Sequence, residues 1–356
     1  TGSGKTEIAT GLMKTVSDTR WLFLVHRANL VKQSAERFEK RTGEEAGMLG
    51  GGQNKIRRVT FATFQTLAQA FKNQHKPSEK YTKIRTLVKT VGGIIVDECH
   101  VLPARSFLEL TKQATKAEFR IGLSATPFAR GSQDSLHLMG ATGPTIFRLK
   151  VDELARRNAI IKPTIRFVEV EQGIPTPVTQ NPRKAFKKVY EMGIEHSEKR
   201  NSKIADLVWE GETPSVVFVK GLDHLEAMVK RLSDKGIPCA GICGSTPQAA
   251  REETIKLLQK GDLECLVATV VLQEGVDIPD LRCVYVASGG RSTIAAIQRA
   301  GRAMRTAEGK EQAIIVDIWD TGNKMLERHS AKRKRAYEKE GFNVESIKRE
   351  GQALGT

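Results

Sequence analysis

The sequence predicts an α/β protein with two domains, each built around a parallel, doubly wound sheet. Short apolar runs alternate with amphipathic helical segments in both halves of the chain, as expected for parallel strands joined by helices. A chain of 356 residues also exceeds what one hydrophobic core usually serves. A proline-punctuated stretch separates the two alternating regions. We therefore predict a first domain, a linker, a second domain and a tail at residues 1–162, 163–182, 183–340 and 341–356.

The predicted strands are short apolar runs that are followed by polar or small residues. In the first domain they lie at residues 21–25, 58–63, 93–96 and 119–123. In the second domain they lie at residues 215–219, 239–243, 264–268, 283–287 and 313–317. Residues 72–89 are basic and polar, and they are expected to be exposed.

One stretch of the first domain, Gly93–His100, carries two adjacent carboxylates directly after a predicted buried strand. Open α/β sheets bind ligands at the carboxyl ends of their strands, so Asp97 and Glu98 suit a metal ion and a water. Alone, such a pair is more often a solvated strand end. The chain begins, however, with Thr1–Thr6, which matches the last residues of a phosphate-binding loop. The two motifs together predict a nucleoside triphosphate site.

The balance of charge favours a polyanionic partner. Lys and Arg number 57 against 41 Asp and Glu, which gives a net charge of +16. Such a basic protein is attracted to nucleic acid through its phosphates, although a membrane-surface or ribosome-associated protein would share this property. No apolar run approaches the roughly 20 residues of a membrane span. The five cysteines favour reduced thiols, and the spacing of Cys239 and Cys243 without a second ligand pair argues against zinc.

The second domain carries a basic motif, Gln298–Arg305, with the letters QRAGRAMR. Arg302 and Arg305 are three residues apart, so on a helix both side chains share one face. A basic solvated helix is the simpler interpretation of this motif alone. A nucleotide site in the other domain favours a second interpretation, in which the two guanidinium groups stabilise the charge that develops on the transferred phosphoryl group.

Five motifs in this order resemble those of superfamily 2 helicases. They are Gly2–Thr6, the letters DECH at Asp97–His100, Ser124–Thr126, Glu274–Asp277 and Gln298–Arg305, similar to motifs I, II, III, V and VI. The resemblance covers nearly the whole chain and implies two tandem RecA-like domains around an interdomain cleft. The first residues of the phosphate loop are missing. Since such a loop follows a strand, we expect the natural chain to begin before Thr1.

The resemblance implies ATP as substrate and Mg²⁺ as cofactor, and it assigns roles to individual positions. Lys5 would neutralise the β/γ-phosphates, Thr6 and Asp97 would hold magnesium, and Glu98 would activate the attacking water. Arg302 and Arg305 would be arginine fingers, with Gln298 near the γ-phosphate. The remaining positions fall into two groups. The nucleotide-binding positions are Gly2, Ser3, Gly4, Gly275 and Asp277, and those that would couple the nucleotide state to the domain interface are His100, Ser124 and Thr126.

The resemblance also places nucleic-acid contacts at strand ends. These positions offer amide, hydroxyl or cationic groups that suit the sugar-phosphate backbone: Arg27, Thr63, Lys220, Gly244 and Thr269. Aromatic residues make up 6% of the chain, so base stacking is not expected to dominate. Ordinary capping or surface roles remain the alternative for each position. For Ser124–Thr126 the alternative is a capped turn.

The letters DECH depart from the DEAD box of RNA-remodelling enzymes. Residues 143–149 and 159–163 and the C-terminal segment resemble DNA motors of the restriction-subunit and UvsW type, which implies forked or branched DNA as the partner. His329, Arg333 and Tyr337 share one helical face, which favours docking on the core over DNA contact.

The prediction is therefore an ATP-dependent DNA helicase or translocase that unwinds or branch-migrates DNA. We expect it to act as a monomer in the cytoplasm of a bacterial or phage-infected cell, away from membranes. Three alternatives remain open: the motor subunit of a restriction enzyme, an RNA helicase, and a non-catalytic nucleotide-gated clamp.

Overall fold

The computed structural model describes residues 4–73, 78–101, 104–124, 132–175, 181–269, 281–290 and 310–345. These residues divide into two compact units, which we call the first unit, residues 4–148, and the second unit, from residue 149 onward. The predicted division at residue 162 was therefore too late. Residues 149–162 belong to the second unit because Leu154 and Ile160 are buried in its core.

The first unit contains a six-stranded sheet in the order β3-β2-β4-β1-β5-β6. Its strands, numbered in chain order, are Trp21–Val25, Gly47–Gly50, Gln53–Lys55, Val59–Thr63, Gly93–Val96 and Phe119–Gly122. Its helices, α1 to α6, are Lys5–Thr15, Ala28–Thr42, Phe64–Lys72, Glu79–Thr90, Ala104–Gln113 and Ser132–Thr142. The described strands of this sheet pair in parallel except for β2 and β3, which form an antiparallel hairpin with its turn at Gly50–Gly52.

Helices cover both faces of this sheet, as predicted. Successive residues of a strand point to opposite faces, so Leu22 and Leu24 pack with α3 to α6 whereas Trp21, Phe23 and Val25 pack with α1 and α2. One expectation was wrong: residues 72–89 are not simply an exposed basic segment. Residues 79–89 belong to α4, whose apolar residues Ile84, Leu87 and Val88 lie at helical spacing and are buried.

The second unit contains a seven-stranded, all-parallel sheet in the order β13-β7-β12-β11-β8-β10-β9. Strands β7 to β13 are Thr164–Glu171, Ser215–Phe218, Cys239–Ile242, Cys265–Ala268, Cys283–Val286, Ile314–Thr321 and Asn343–Val344. Helices α7 to α12 are Val151–Arg156, Pro182–Tyr190, Glu198–Trp209, Leu222–Asp234, Gln248–Lys260 and Lys324–Lys339, with a π-helical turn at Glu191–Glu195. This sheet is also covered on both faces, which confirms two doubly wound α/β units.

The interpretation of residues 163–182 as a linker was wrong for their first half. Residues 164–171 form β7, which pairs with β12 along its whole length and also with β13. Ile165, Phe167 and Val170 are buried on the two faces of this strand. The prolines lie outside the strand, at its start and beyond its end, so they do not interrupt its hydrogen bonds.

The face of α12 that carries His329, Arg333 and Tyr337 is buried, which confirms docking on the core. Arg333 donates to both oxygens of Asp317 on β12, and the Tyr337 hydroxyl donates to Asp317 Oδ2 at 3.0 Å. Among the described residues, no helix has the length and apolarity needed to cross a membrane.

Candidate functional site

The carboxyl edge of the first sheet gathers the predicted catalytic residues of that unit. Strands β4, β1, β5 and β6 lie side by side and run in one direction. Asp97 and Glu98 therefore follow β5, between the end of β1 and the end of β6, where Ser124 lies. The backbone ties these ends together, because Asp97 N donates to Leu24 O at 2.9 Å and Cys99 N donates to Leu123 O at 3.0 Å.

The phosphate-loop residues begin α1. Gly4 has φ 71° and ψ 26°, a left-handed conformation that favours glycine, and Lys5 and Thr6 form the first turn of the helix. The first amide groups of a helix have no partner within the helix and attract anions. Lys5 Nζ lies 3.1 Å from Glu98 Oε1, so the structure brings the loop lysine to the DECH carboxylate.

Glu98 is held in a conformation that few residues adopt. Its φ is 46°, a left-handed value that costs on the order of 1–3 kcal/mol for a residue with a side chain. Glu98 Oε2 lies 3.3 Å from His100 Nδ1, and the same nitrogen lies 2.8 Å from Ser124 Oγ. His100 is thus in direct contact with the carboxylate and with the second predicted coupling residue, Ser124.

The two carboxylates differ in acidity although they are adjacent in the chain. Burial, followed by the charge of Glu98, raises the pKa of Asp97. Burial also acts to raise the pKa of Glu98, but the contacts with His100 and Lys5 outweigh it and lower that pKa to about 2. Glu98 is therefore ionised at neutral pH and can accept a proton.

Asp97 and Thr6 fit a magnesium ion. A hydroxyl and a carboxylate are hard oxygen ligands of the kind that Mg²⁺ takes, often together with substrate phosphates. Two causes raise the pKa of Asp97, its burial and the negative charge of Glu98. A divalent cation beside Asp97 would lower that pKa, because positive charge stabilises the ionised carboxylate.

The predicted nucleic-acid contacts of the first unit lie at the ends of neighbouring strands, Arg27 after β1 and Thr63 at the end of β4. Thr63 is 6% exposed and caps α3, with its hydroxyl accepting from Thr66 N at 3.2 Å and lying 2.8 Å from Thr66 Oγ1. Thr63 therefore has the helix-capping role that was the alternative to a nucleic-acid contact.

The second unit also gathers its predicted contacts at one carboxyl edge. Lys220, Thr269 and Gly244 follow β8, β10 and β9, which are neighbours in that order. Lys220 and Gly244 are exposed, whereas Thr269 is only 7% exposed. Three neighbouring strands therefore bring Lys220, Gly244 and Thr269 to one edge of the sheet.

Sequence reasoning missed the partner of Lys220. Its Nζ lies 4.5 Å from the centroid of the Tyr190 ring, a cation–π contact. Tyr190 ends α8, and the two residues are thirty positions apart. No motif or periodicity indicates this contact, because it depends on how α8 packs beside β8.

The other predicted site residues lie outside the part of the chain that the structure describes. They are Gly2, Ser3, Thr126, Gly275, Asp277, Gln298, Arg302 and Arg305. Their assignments stay predictions.

Comparisons with known proteins agree with the order of the motifs. The family model described as "Type III restriction enzyme, res subunit" matches residues 1–129, and the model of the "Helicase conserved C-terminal domain" matches residues 199–307. The first match includes the phosphate-loop and DECH motifs, and the second includes the two later motifs.

Relatives that are similar to this chain are named as helicases. The protein named helicase 22 of a Sulfolobus islandicus filamentous virus is 27% identical over 335 residues, which cover 89% of this chain and 59% of the relative. Rad25 of Haloarcula marismortui, named as a DNA 3'-5' helicase, is 29% identical over 318 residues, or 88% and 48% of the two chains.

The restriction-modification enzyme LlaBIII, solved bound to DNA, shares the fold with a TM-score of 0.68 and 16% identity, over 95% of this chain and 28% of that one. The present chain spans about half the length of the first curated relatives that it matches. The two family models and these relatives support a superfamily 2 helicase, in agreement with the order of the motifs.

Proposed function

We propose that the protein is an ATP-dependent DNA helicase or translocase that couples ATP hydrolysis to movement along DNA and to unwinding or branch migration of forked DNA. The observation that carries this proposal is the Glu98 carboxylate, held between Lys5 and His100 at the carboxyl edge of the first sheet. A non-catalytic clamp would not need a carboxylate in a strained conformation beside the phosphate-loop lysine.

The side chains of this edge suit phosphoryl transfer to water. Lys5 offers positive charge to the phosphates, and Glu98 orients the attacking water and takes its proton. Thr6 and Asp97 would hold magnesium, which would supply positive charge beside the triphosphate. The resemblance to the family supports Gln298, Arg302 and Arg305 as groups that stabilise the developing charge, and Gly275 and Asp277 as ribose neighbours.

The contact of His100 with Ser124 supports the proposed coupling role. His100 Nδ1 lies within reach of both Glu98 and Ser124, and Ser124 leads directly into Ala125–Thr126. A change at the carboxylate is therefore transmitted to the end of β6 through one shared nitrogen.

DNA is proposed as the partner because exposed basic and amide groups occupy the carboxyl edge of the second sheet and the net charge is +16. Contacts to the phosphate backbone carry no base information, so binding should depend strongly on salt and weakly on sequence.

Duplex translocation without strand separation is a second candidate. It is favoured by the match of residues 1–129 to a restriction-subunit family model. A strand-displacement assay on forked duplex separates the two candidates, since a pure translocase displaces a third strand from a triplex but leaves the fork intact.

The test is an ATPase titration with single-stranded, duplex, forked and four-way DNA and with RNA, with a Glu98→Gln preparation as the control for contaminating ATPase. We expect DNA, and forked DNA above all, to stimulate turnover. Stimulation by RNA alone would instead identify an RNA helicase, and turnover at the level of the Glu98→Gln control on every substrate would identify a clamp.

A further inference from the structure

Three side chains donate hydrogen bonds to the backbone of one four-residue segment of the second unit, Ala287–Gly290. Arg200 Nη1 donates to Ala287 O at 2.5 Å, the Tyr190 hydroxyl donates to Ser288 O, and Arg333 Nη1 donates to Gly290 O at 2.7 Å. The three donors come from α9, α8 and α12, and all are buried. Three helices of the second unit thus hold the residues that follow β11 in one position.

Burying the two arginines costs free energy, because a charged group loses its hydration when it is buried. Arg200 pairs with Asp320 at 2.9 Å and Arg333 with Asp317 at 2.9 Å, and all four side chains are almost fully buried. Buried ion pairs of this kind add little net stability over apolar residues of the same shape. Each guanidinium group also directs a further N–H to a carbonyl of the same segment, as only a planar, multi-donor group can. Fixing that segment is a reason to keep them.

The shape of the segment is specified as well. Gly289 and Gly290 have φ values of 51° and 80°, and a Cβ on Gly289 would lie 3.0 Å from Ile194 Cδ1 in the π-helical turn. Ser288 N donates to Phe218 O at 2.7 Å, which attaches the segment to β8. The strand that holds the segment is therefore the one that leads to Lys220.

Tyr190 contacts both Lys220 and the Ala287–Gly290 segment. Its ring lies against the exposed ammonium group of Lys220, and its hydroxyl holds Ser288 O. Gly290 comes eight residues before Gln298 and twelve before Arg302. A phosphate bound at Lys220 would draw the ammonium group away from the ring face and thereby change the environment of the side chain that fixes Ser288.

We propose that Tyr190 is a positioning residue that couples nucleic-acid phosphate at Lys220 to the Ala287–Gly290 segment and thus to the residues that follow it. This inference rests on the proposed function, because Lys220 is assigned there as a DNA contact. Tyr190 itself touches neither ATP nor the reacting atoms in this scheme, and it acts through the segment.

The test is Tyr190→Phe, which removes the hydroxyl and keeps the ring under Lys220. We expect maximal DNA-stimulated kcat to fall by about fivefold while KM for ATP and the half-saturating DNA concentration stay unchanged. The matched control is Tyr285→Phe. Tyr285 also donates a buried hydrogen bond to a backbone carbonyl, but that carbonyl, of Leu207 at 2.7 Å, lies outside the segment. It should keep its stimulated kcat even if it loses as much stability to urea.

A double variant provides the second measurement. Lys220 is exposed, so Lys220→Gln will fold, and we expect it to lower the stimulated kcat. If Tyr190 and Lys220 act through one path, Lys220→Gln/Tyr190→Phe loses no more than the worse single variant, whereas a loss equal to the product of the two overturns the coupling.

The outcomes also separate the two proposals. A wild-type protein that DNA does not stimulate overturns the proposed function together with the coupling. A stimulated wild-type protein whose Tyr190→Phe variant matches it in kcat overturns the coupling alone.

Discussion

The two units share an architecture but use charge in opposite ways. In the first unit, Lys5 and Glu98 stay 16% and 21% exposed at the open edge of the sheet. In the second unit, the Arg333–Asp317 pair is 0% exposed on both sides and holds backbone carbonyls. The accessible pair lies where a ligand can reach it, whereas the buried pair joins α12 to Asp317 within β12 and fixes the chain. We call the first the reactive edge, because the proposed catalytic residues lie there, and the second the rigid support.

The largest expected effect tests the reactive edge. Glu98→Gln keeps the size of the side chain but cannot accept a proton, so DNA-stimulated ATPase should fall by roughly 10²-fold or more. Lys5→Ala should have a comparable effect because it removes positive charge from the phosphate site. Steady-state ATPase at saturating DNA measures both. Lys14→Ala, at an exposed position of the same helix, is the control and should match wild type, and full turnover in Glu98→Gln would remove the catalytic assignment.

The next effect tests the rigid support. Arg333→Met leaves Asp317 as a buried charge without its partner, which should lower the free energy of unfolding by about 3–5 kcal/mol. Lys32→Met in the first unit breaks only an exposed pair with Glu36, so a few tenths of a kcal/mol are expected there. Urea unfolding of both variants and of wild type measures these losses in the free energy of unfolding. Equal small losses in both variants would contradict the contrast between the units.

A histidine in each unit sharpens the comparison. His100 contacts the reactive carboxylate, whereas His224 is fully buried, and burial, together with the charges of Arg200 and His196, lowers its pKa to about 3. The folded pKa is below the unfolded value of 6.5, so the unfolded state alone binds a proton as the pH falls. The stability that His224 contributes is complete above pH 6.5 and is lost progressively down to about pH 3.

From pH 7 to pH 5 this group should cost roughly 2 kcal/mol of unfolding free energy. Urea unfolding at the two pH values, in wild type and in His224→Gln, measures the difference, since glutamine donates a hydrogen bond but does not titrate. His137→Gln, in the first unit and not among the groups that lower the pKa of His224, is the control and should keep the wild-type pH dependence. An unchanged dependence in His224→Gln would show that other groups cause it.

The smallest effect concerns Thr63 at the edge of the first sheet. Thr63→Ala removes the cap of α3 and should lower the free energy of unfolding by about 1 kcal/mol, whereas Thr63→Ser keeps the hydroxyl and should restore most of it. Salt-dependent DNA binding of both variants is the second measurement. A decrease in the salt slope with no loss of stability would favour the DNA contact over the cap.

Much of the site could be predicted because its signals are local. Apolar runs fix the strands, and parallel strands bring their carboxyl ends to one edge, which is where Asp97, Glu98 and Ser124 lie. Lys5 joins them through the helix that follows the phosphate loop. The positive φ of Glu98 and its contact with His100 were not predictable, since they depend on how the chain turns after β5.

The sequence by itself determined nine of the thirteen described strands and the order of the motifs, because apolar runs and motifs are properties of neighbouring residues. The tertiary structure decided that β7 belongs to the second sheet and that Tyr190 meets Ser288, 98 positions away. It also decided that Arg200 pairs with Asp320 across 120 positions. Such partners follow from the order of strands in a sheet, and that order is set by the packing of the whole chain, which no local pattern records.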